Sequence, residues 1–179
     1  VMGLPLIWAV YISLTDRVIG NAETNFIGIA NYIDILKDSG FHKALLNTFI
    51  FSFFAVFGKV VLGMIMALTM NQPLKGRGII RVAMILPWTI PTIVSVYVWR
   101  WMYSDVGGAL NRILMVTHIT DHQIGWLSTT SMAMFSVILV NIWRGTPFIA
   151  ISVLAGLQNI STDLYEAAAL DGANVFKRF

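Results

Sequence analysis

Two long runs of apolar residues, 44–70 and 132–156, constrain this chain more than any other feature. Each run exceeds the roughly 20 residues that an α-helix needs to cross the hydrocarbon core of a bilayer. A third run, 82–102, has about that length, and a shorter one occupies residues 1–14. The sequence therefore predicts an all-α membrane protein with one partial and three complete transmembrane helices. Because Val1 opens directly into an apolar run, we expect an internal piece of a longer protein, incomplete at both ends.

The composition supports residence in lipid and excludes several other classes of protein. Hydrophobic residues make up 57% of the chain and charged residues 12%, whereas soluble domains are about 25% charged. The net charge is only +3, and no basic run resembles a nucleic-acid footprint, so we expect no nucleic-acid partner. Cysteine is absent, which excludes disulfides and thiolate metal sites. No HExxH, GxSxG or P-loop motif occurs, and we expect no catalytic residue, metal or cofactor.

Two of the connecting loops carry short apolar stripes at helical spacing. One predicts a helix that lies on the membrane surface or caps the bundle, and the other predicts an interfacial helix. The first stripe consists of Ile29, Tyr32, Ile33 and Leu36. The second consists of Leu110, Ile113 and Leu114. Trp126 and Leu127 follow as an expected interface anchor before the last span.

The orientation of the spans is predicted from the positive charges of the loops, because lysine and arginine favour the cytoplasmic side. The short loop 71–81 and the C-terminal segment 161–179 hold five cations. The two long loops, 15–43 and 103–131, hold four cations over far more residues. We therefore expect the short loop and the C-terminal segment to be cytoplasmic.

The span 82–102 carries two prolines four residues apart, hence on one face. Each proline lacks an N–H donor and frees the carbonyl one turn earlier, at Ala83 for Pro87 and at Pro87 for Pro91. In lipid these carbonyls need partners, so we expect this face to meet protein or water.

Lys59 and Arg144 lie near the centres of their spans, where an ionisable group should face the bundle interior. No Asp or Glu occurs in any of the spans, so these helices offer them no acidic partner. Their partners could be backbone carbonyls, water, other helices, another subunit or a passing substrate. Either they orient helices through hydrogen bonds or they line a transport path. Pro147 favours a path role for Arg144, because it frees the neighbouring Trp143 carbonyl.

A few other side chains are candidates for ligand contact. The aromatic faces of Trp88, Trp99 and Trp143 suit sugar rings, although aromatic residues at helical spacing also serve packing. His118 and His122 are four residues apart and would form a metal pair if helical. Without a third ligand, we interpret them as a solvated loop pair.

The polar segment 161–173 has the local chemistry of a small helix. Asp163 and Glu166 fit a capping box at its start, the alanines 167–169 favour helix, and Gly172 can end it in a left-handed turn. A second short segment, 174–179, follows. We predict a helix–turn–helix element just outside the membrane that docks another protein.

At this point the sequence resembles a known family. Tyr165-Glu166-Ala167-Ala168-Ala169-Leu170-Asp171-Gly172-Ala173 resembles the EAA loop of permease subunits in binding-protein-dependent ABC importers. Four weaker motifs resemble the carbohydrate-uptake branch, in particular its maltose- and trehalose-type permeases, and together the matches cover essentially the whole chain. These motifs are Phe26–Tyr32, Asn47–Thr48, Leu86–Pro91 and Leu154–Ile160.

The resemblance implies a type I importer permease fold in a bacterial or archaeal plasma membrane, with the EAA loop cytoplasmic. It implies a second permease subunit, two ATP-binding subunits, an extracytoplasmic solute-binding protein and a sugar substrate. Coupling to the ATPase would fall to Tyr165, Glu166, Ala167, Ala168, Asp171 and Gly172. Our candidates for the substrate path are Lys59, Trp88, Trp99, Asn141, Trp143 and Arg144.

Other functions stay open at this point. One is an ABC importer for a non-sugar solute such as glycerol phosphate. An ion-driven carrier would need intramembrane carboxylates or unwound ion sites, and the complete spans contain no carboxylate. A membrane scaffold without transport is opposed only by the family resemblance.

Overall fold

The computed structural model describes residues 3–18, 20, 24–73 and 76–178, and these residues form helices joined by loops. The chain divides into two compact units, Val1–Ile50 and Phe51–Phe179. The helices are α1 (Gly3–Ser13), α2 (Ala30–Lys37), α3 (Ser39–Asn71), α4 (Arg77–Thr89), α5 (Thr92–Met102), α6 (Ala109–Val116), α7 (Thr130–Gln158), α8 (Thr162–Leu170) and α9 (Val175–Arg178). The expected all-α architecture is confirmed over the described residues.

In the first unit, α2 is tied to the end of α1. Asn31 donates its side-chain amide to the carbonyls of Ser13 and Thr15, at 3.0 and 2.9 Å. The Tyr32 and Ser13 hydroxyls share a hydrogen bond of 2.6 Å. The last carbonyls of a helix have no partner within that helix, so these bonds satisfy groups that would otherwise need water. The helix predicted from the stripe beginning at Ile29 is therefore present, and the adjoining asparagine and tyrosine fix it.

The helices α3 and α7 pack in parallel in the second unit. A Cβ on Gly63 would lie 2.8 Å from Cγ2 of Ile149, and one on Gly145 would lie 2.6 Å from Cδ of Lys59. Glycine thus allows the two helices to approach closely, as is common where helices meet in membranes. Farther along, Ala67 joins Ala150 in a buried cluster. We call this interface the α3–α7 seam. Its contacts advance in the same direction along both helices.

The predicted single span 82–102 is instead divided into α4 and α5, which are bent by 92°. The break lies at Ile90 and Pro91, both extended, with ψ of 129° and 138°. Proline disfavours helical geometry in the residue before it and has no N–H to donate to the carbonyl of Pro87. Pro87, in contrast, is accommodated inside α4. The loop before α4 is also shorter than expected, because the helix starts at Arg77.

The bent pair α4–α5 follows α7 in the opposite direction. Met84 packs against the cluster that contains Leu154 near the end of α7. Beyond the break, the Tyr103 hydroxyl donates to the carbonyl of Ser136 near the start of α7, at 3.1 Å. The pair therefore returns the chain from the end of α3 to the start of α7. This course fits one bent span better than a loop that re-emerges on the same side.

Two helices, α3 and α7, are each long and apolar enough to cross a membrane, and the bent pair makes a third crossing if it is counted as one span. At 33 residues, α3 is about 50 Å long, well beyond a hydrocarbon core of about 30 Å. The shorter apolar helix α1 covers most of the predicted first run. The predicted runs thus recur as helices, with ends that differ by a few residues.

The loop between α5 and α7 is organised by one buried side chain, Asn111 of α6, which is 2% exposed. Its amide oxygen accepts from the backbone of Ile124 and from the indole of Trp126, both at 3.1 Å. Its amide nitrogen donates to the carbonyl of Ile124, also at 3.1 Å. The helix predicted from the stripe that begins at Leu110 is present. Trp126, predicted as an interface anchor, also donates a hydrogen bond to Asn111.

Candidate functional site

A groove of about 370 Å³ runs between α5 and α7. The residues that α7 contributes are spaced at i, i+3, i+4 and i+7, so they form one face of that helix. The groove extends along α5 to its C-terminal end and reaches the midpoint of α7. Its lining is Thr92, Ser95, Val96, Trp99, Arg100, Tyr103, Leu127, Val137, Val140, Asn141 and Arg144. Three of the predicted path residues, Trp99, Asn141 and Arg144, are thus brought together here.

Arg144 lies at the end of this groove that is next to the break between α4 and α5, and it contacts that break. Its Nη2 donates to the carbonyl of Ile90 at 3.5 Å. A backbone carbonyl was among the expected partners, and this one comes from the break between α4 and α5. The Nε atom of Arg144 is buried and has no hydrogen-bond partner among the described residues.

Lys59 approaches the groove from the opposite side of Asn141. Its ammonium donates to the side-chain oxygen of Asn141 at 3.0 Å, and its alkyl chain passes over Gly145. This bond joins α3 to α7 and gives the cation an amide partner at the depth where no acid is present. The hydrogen bond between Lys59 and Asn141 therefore supports the interpretation of Lys59 as a residue that orients helices.

The three tryptophans do not form one cluster. Trp99 lines the groove and meets Trp143 edge to face, with ring centroids 5.2 Å apart. Trp88 lies instead beside Phe148, with centroids 6.1 Å apart, and half of its surface is exposed. Trp88 therefore does not line this groove.

Ser95 is the groove residue that sequence reasoning missed. It is 3% exposed, and its hydroxyl has no hydrogen-bond partner among the described residues. The available signal was its spacing, because a small hydroxyl residue four positions before Trp99 shares a helix face with it.

The segment beginning at Ser161 forms the predicted pair of short helices, α8 and α9. Gly172 adopts a φ of +79°, the left-handed conformation expected of it. The capping box is wrong, however. Ser161, not Asp163, occupies the N-cap position, and it makes no side-chain capping bond. Asp163 therefore lies in the first turn and Glu166 in the second, so the favourable dipole effect falls chiefly on Asp163.

The side chains on α8 are largely open to contact. Glu166, Ala167, Asp171 and Gly172 are exposed, while Tyr165 and Ala168 are half-buried. Two apolar side chains on the same helix are strongly exposed, Leu164 at 63% and Leu170 at 90%. The helix α8 therefore exposes apolar surface beside the acidic side chain of Glu166.

The histidine pair does not form a helical metal site. Both residues follow the end of α6 at Val116, and His118 has a φ of 55°. Among the described residues, no group of three or more His, Cys, Asp or Glu side chains is placed to hold a metal ion.

Comparison with known proteins decides the family. Residues 59–179 match the model of the binding-protein-dependent transport system inner membrane component. The chain belongs to this family. The match includes α4 to α9, and hence the groove and the segment that resembles the EAA loop.

Curated relatives extend the likeness to nearly the whole chain. It is 39% identical over 176 residues to the trehalose/maltose transport system permease protein MalF of Thermococcus litoralis, covering 98% of this chain and 59% of the relative. It is 36% identical over 160 residues to the inner membrane ABC transporter permease protein YcjO of Escherichia coli, covering 89% and 55%. The chain thus spans somewhat more than half the length of these relatives.

A solved structure shares the fold. The chain aligns with a TM-score of 0.78 to a chain of a bacterial ABC transporter involved in the import of the acidic polysaccharide alginate. The alignment covers 99% of this chain and 59% of the other, at 21% sequence identity. The protein therefore has the all-helical fold of an ABC transporter permease and is a multi-pass membrane protein.

Proposed function

We propose that this chain belongs to the transmembrane domain of a permease subunit in an ATP-driven sugar importer. Family membership carries the proposal, since the matched family is defined by binding-protein-dependent transport. The sugar class rests on the relative named as a trehalose/maltose permease. The subunit would form the translocation path with a second permease, receive solute from an external binding protein and be driven by two cytoplasmic ATPase subunits.

The helix α8 and the turn after it are proposed to couple the membrane helices to the ATPase. The exposed leucines and alanines of α8 offer a compact surface that can enter a groove of a partner. The short link from the end of α7 at Gln158 to the start of α8 at Thr162 lets a displacement of α8 reach the membrane span. The excess of lysine and arginine near this segment and in loop 71–81 supports a cytoplasmic position.

The coupling role is tested in the full-length transporter with Gly172→Val. A β-branched residue is strained at a φ of +79°. A Cβ at Gly172 meets no atom of this chain within 4 Å, so the strain within the chain comes from the backbone and not from a clash. We expect the ATPase to co-purify less with this variant and solute uptake to fall, while the membrane helices still insert. Gly172→Asn is the matched control, since asparagine tolerates this conformation.

Glu166→Lys tests the exposed face of the same helix. Reversing this charge should weaken ATPase co-purification without unfolding α8, because Glu166 lies beyond the first turn. Normal uptake and normal co-purification by both Glu166→Lys and Gly172→Val would overturn the coupling assignment.

The substrate path is proposed to follow the groove between α5 and α7. Trp99 and Tyr103 supply aromatic surface, and Asn141 and Arg144 supply hydrogen-bonding groups at the depth of the membrane. Trp143 and Lys59 would support the path from behind, through Trp99 and Asn141 respectively.

A further inference from the structure

The charged groups that line the groove are both hydrogen-bond donors, whereas the hydroxyls of Thr92, Ser95 and Tyr103 can both donate and accept. Arg100 and Arg144 line it, and an arginine side chain has five N–H donors and no acceptor. The indole of Trp99 likewise carries only a donor. Among the residues that line the groove, none is an aspartate or a glutamate. A ligand that supplies acceptors would suit this lining.

Asn141 adds to the excess of donors. Its side-chain oxygen already accepts from the ammonium of Lys59 at 3.0 Å, so the amide group is left chiefly with its N–H₂ donors for the groove. Lys59 also places a third positive charge directly behind this wall. The Tyr103 hydroxyl already donates its proton to the carbonyl of Ser136, so only its oxygen is left, as an acceptor.

Two buried polar atoms at this site have no partner among the described residues. They are the Nε of Arg144 and the hydroxyl of Ser95, and both residues line the groove. A buried donor without an acceptor is costly, and a cation at membrane depth more so. Both costs are relieved by a bound group that brings acceptor atoms and negative charge.

We infer that the groove binds an anionic sugar or polyol, through a carboxylate or phosphate at Arg144 and an apolar ring face at Trp99. This inference rests on the proposed function and specifies its substrate class. A neutral sugar presents hydroxyl groups but brings no negative charge for the two arginines of the groove. A carboxylate or phosphate oxygen only accepts, and arginine matches it with two parallel bonds.

The experiment uses the complete transporter, reconstituted in proteoliposomes with its partner permease, ATPase subunits and binding protein. Uptake driven by ATP is measured for maltose, digalacturonate and glycerol 3-phosphate, which represent a neutral sugar, a carboxylate and a phosphate. We expect uptake of digalacturonate or of glycerol 3-phosphate. Comparing these two solutes shows whether the groove selects a carboxylate or a phosphate. Uptake of maltose that neither anion inhibits in excess would overturn the inference and leave the importer standing. If ATP drives uptake of none of the three, the proposed function fails, and the inference with it.

Variants of Arg144 test the site itself. In Arg144→Gln, we expect the KM for the anionic solute to rise at least about tenfold, as for loss of a charged hydrogen bond. Arg144→Lys keeps the charge and should recover part of this loss. An unchanged KM in Arg144→Gln, or an equal loss for every solute transported, would overturn the inference. Arg112→Gln is the matched control, because Arg112 is exposed on α6 and does not line this groove.

Discussion

The two sides of α7 differ in whether their buried polar groups have hydrogen-bond partners. On the side of the α3–α7 seam, glycine and alanine allow close packing, and the ammonium of Lys59 donates to an amide. On the groove side, the Ser95 hydroxyl and the Nε of Arg144 are buried with no partner among the described residues. The difference indicates that positive charges at membrane depth have two different roles in this protein. On one side it joins helices, and on the other it is available to a ligand.

The packing of the seam is tested first, because it should give the largest effect. Gly63→Leu would place its Cβ against Ile149 and near the backbone nitrogen of Ala150, which cannot move aside easily. Overpacking of this kind costs about 1–3 kcal/mol or more, and we expect the thermal unfolding temperature of the purified complex to fall.

Gly156→Leu is the control for this prediction. It adds the same side chain to the same kind of helix, but a Cβ at Gly156 meets no atom within 4 Å. Equal unfolding temperatures for the two variants would show that the seam is not closely packed, and the contrast between the two sides of α7 would be lost.

The polar bond of the seam should give a smaller effect, measurable by a double-mutant cycle. Asn141→Leu leaves the Lys59 ammonium without its amide partner, whereas Lys59→Met leaves only a neutral amide, so the first change should cost more. We expect about 1 kcal/mol for Asn141→Leu and a coupling energy of about 0.6 kcal/mol. Unfolding in increasing concentrations of dodecyl sulfate measures both. A coupling energy of zero would mean that this contact does not hold the helices together.

The same pairing of a charge with an asparagine occurs in water, where we expect the smallest effect. Asp16 accepts from the backbone and side chain of Asn25, at 2.6 and 3.0 Å, and these bonds lower the pKa of the exposed carboxyl. A lowered pKa in the folded state means stabilisation that is present above the unfolded value, about 3.9, and is lost as the pH falls through the folded value.

Asn25→Ala should therefore raise the Asp16 pKa towards about 3.9 and change stability little near pH 7. Carboxyl NMR titration of the labelled protein measures this shift. An unaltered pKa in Asn25→Ala would show that the side chain of Asn25 is not its cause.

Much of the fold could be predicted from the sequence because each segment carries its own pattern. The apolar runs 44–70 and 132–156 are long enough to specify helices without knowledge of their neighbours. The stripes beginning at Ile29 and Leu110 specified short helices in the same way, and Gly172 specified a turn. The capping box failed because Ser161, Thr162 and Asp163 all suit an N-cap, and the pattern does not select between them.

The partners of the charged side chains could not be predicted in the same way. Lys59 and Asn141 are 82 residues apart, and Arg144 and Ile90 are 54 apart. Several carbonyls and amides compete for such groups, and only the packing decides which of them is within reach. The bend at Pro91 is an intermediate case, because the proline marks the place but the sequence does not give the angle.

The sequence by itself determined that the chain is helical, lies in a membrane, lacks acids in its spans and carries a short helical segment after the last span. These properties follow from local composition and spacing, which act within one or two helical turns. Only the tertiary structure decided that α3 and α7 pack against each other, that α4–α5 bends sharply and that Ser95 and Arg144 share a groove. These properties depend on contacts between distant segments, where close packing selects one arrangement among many that the same helices could form.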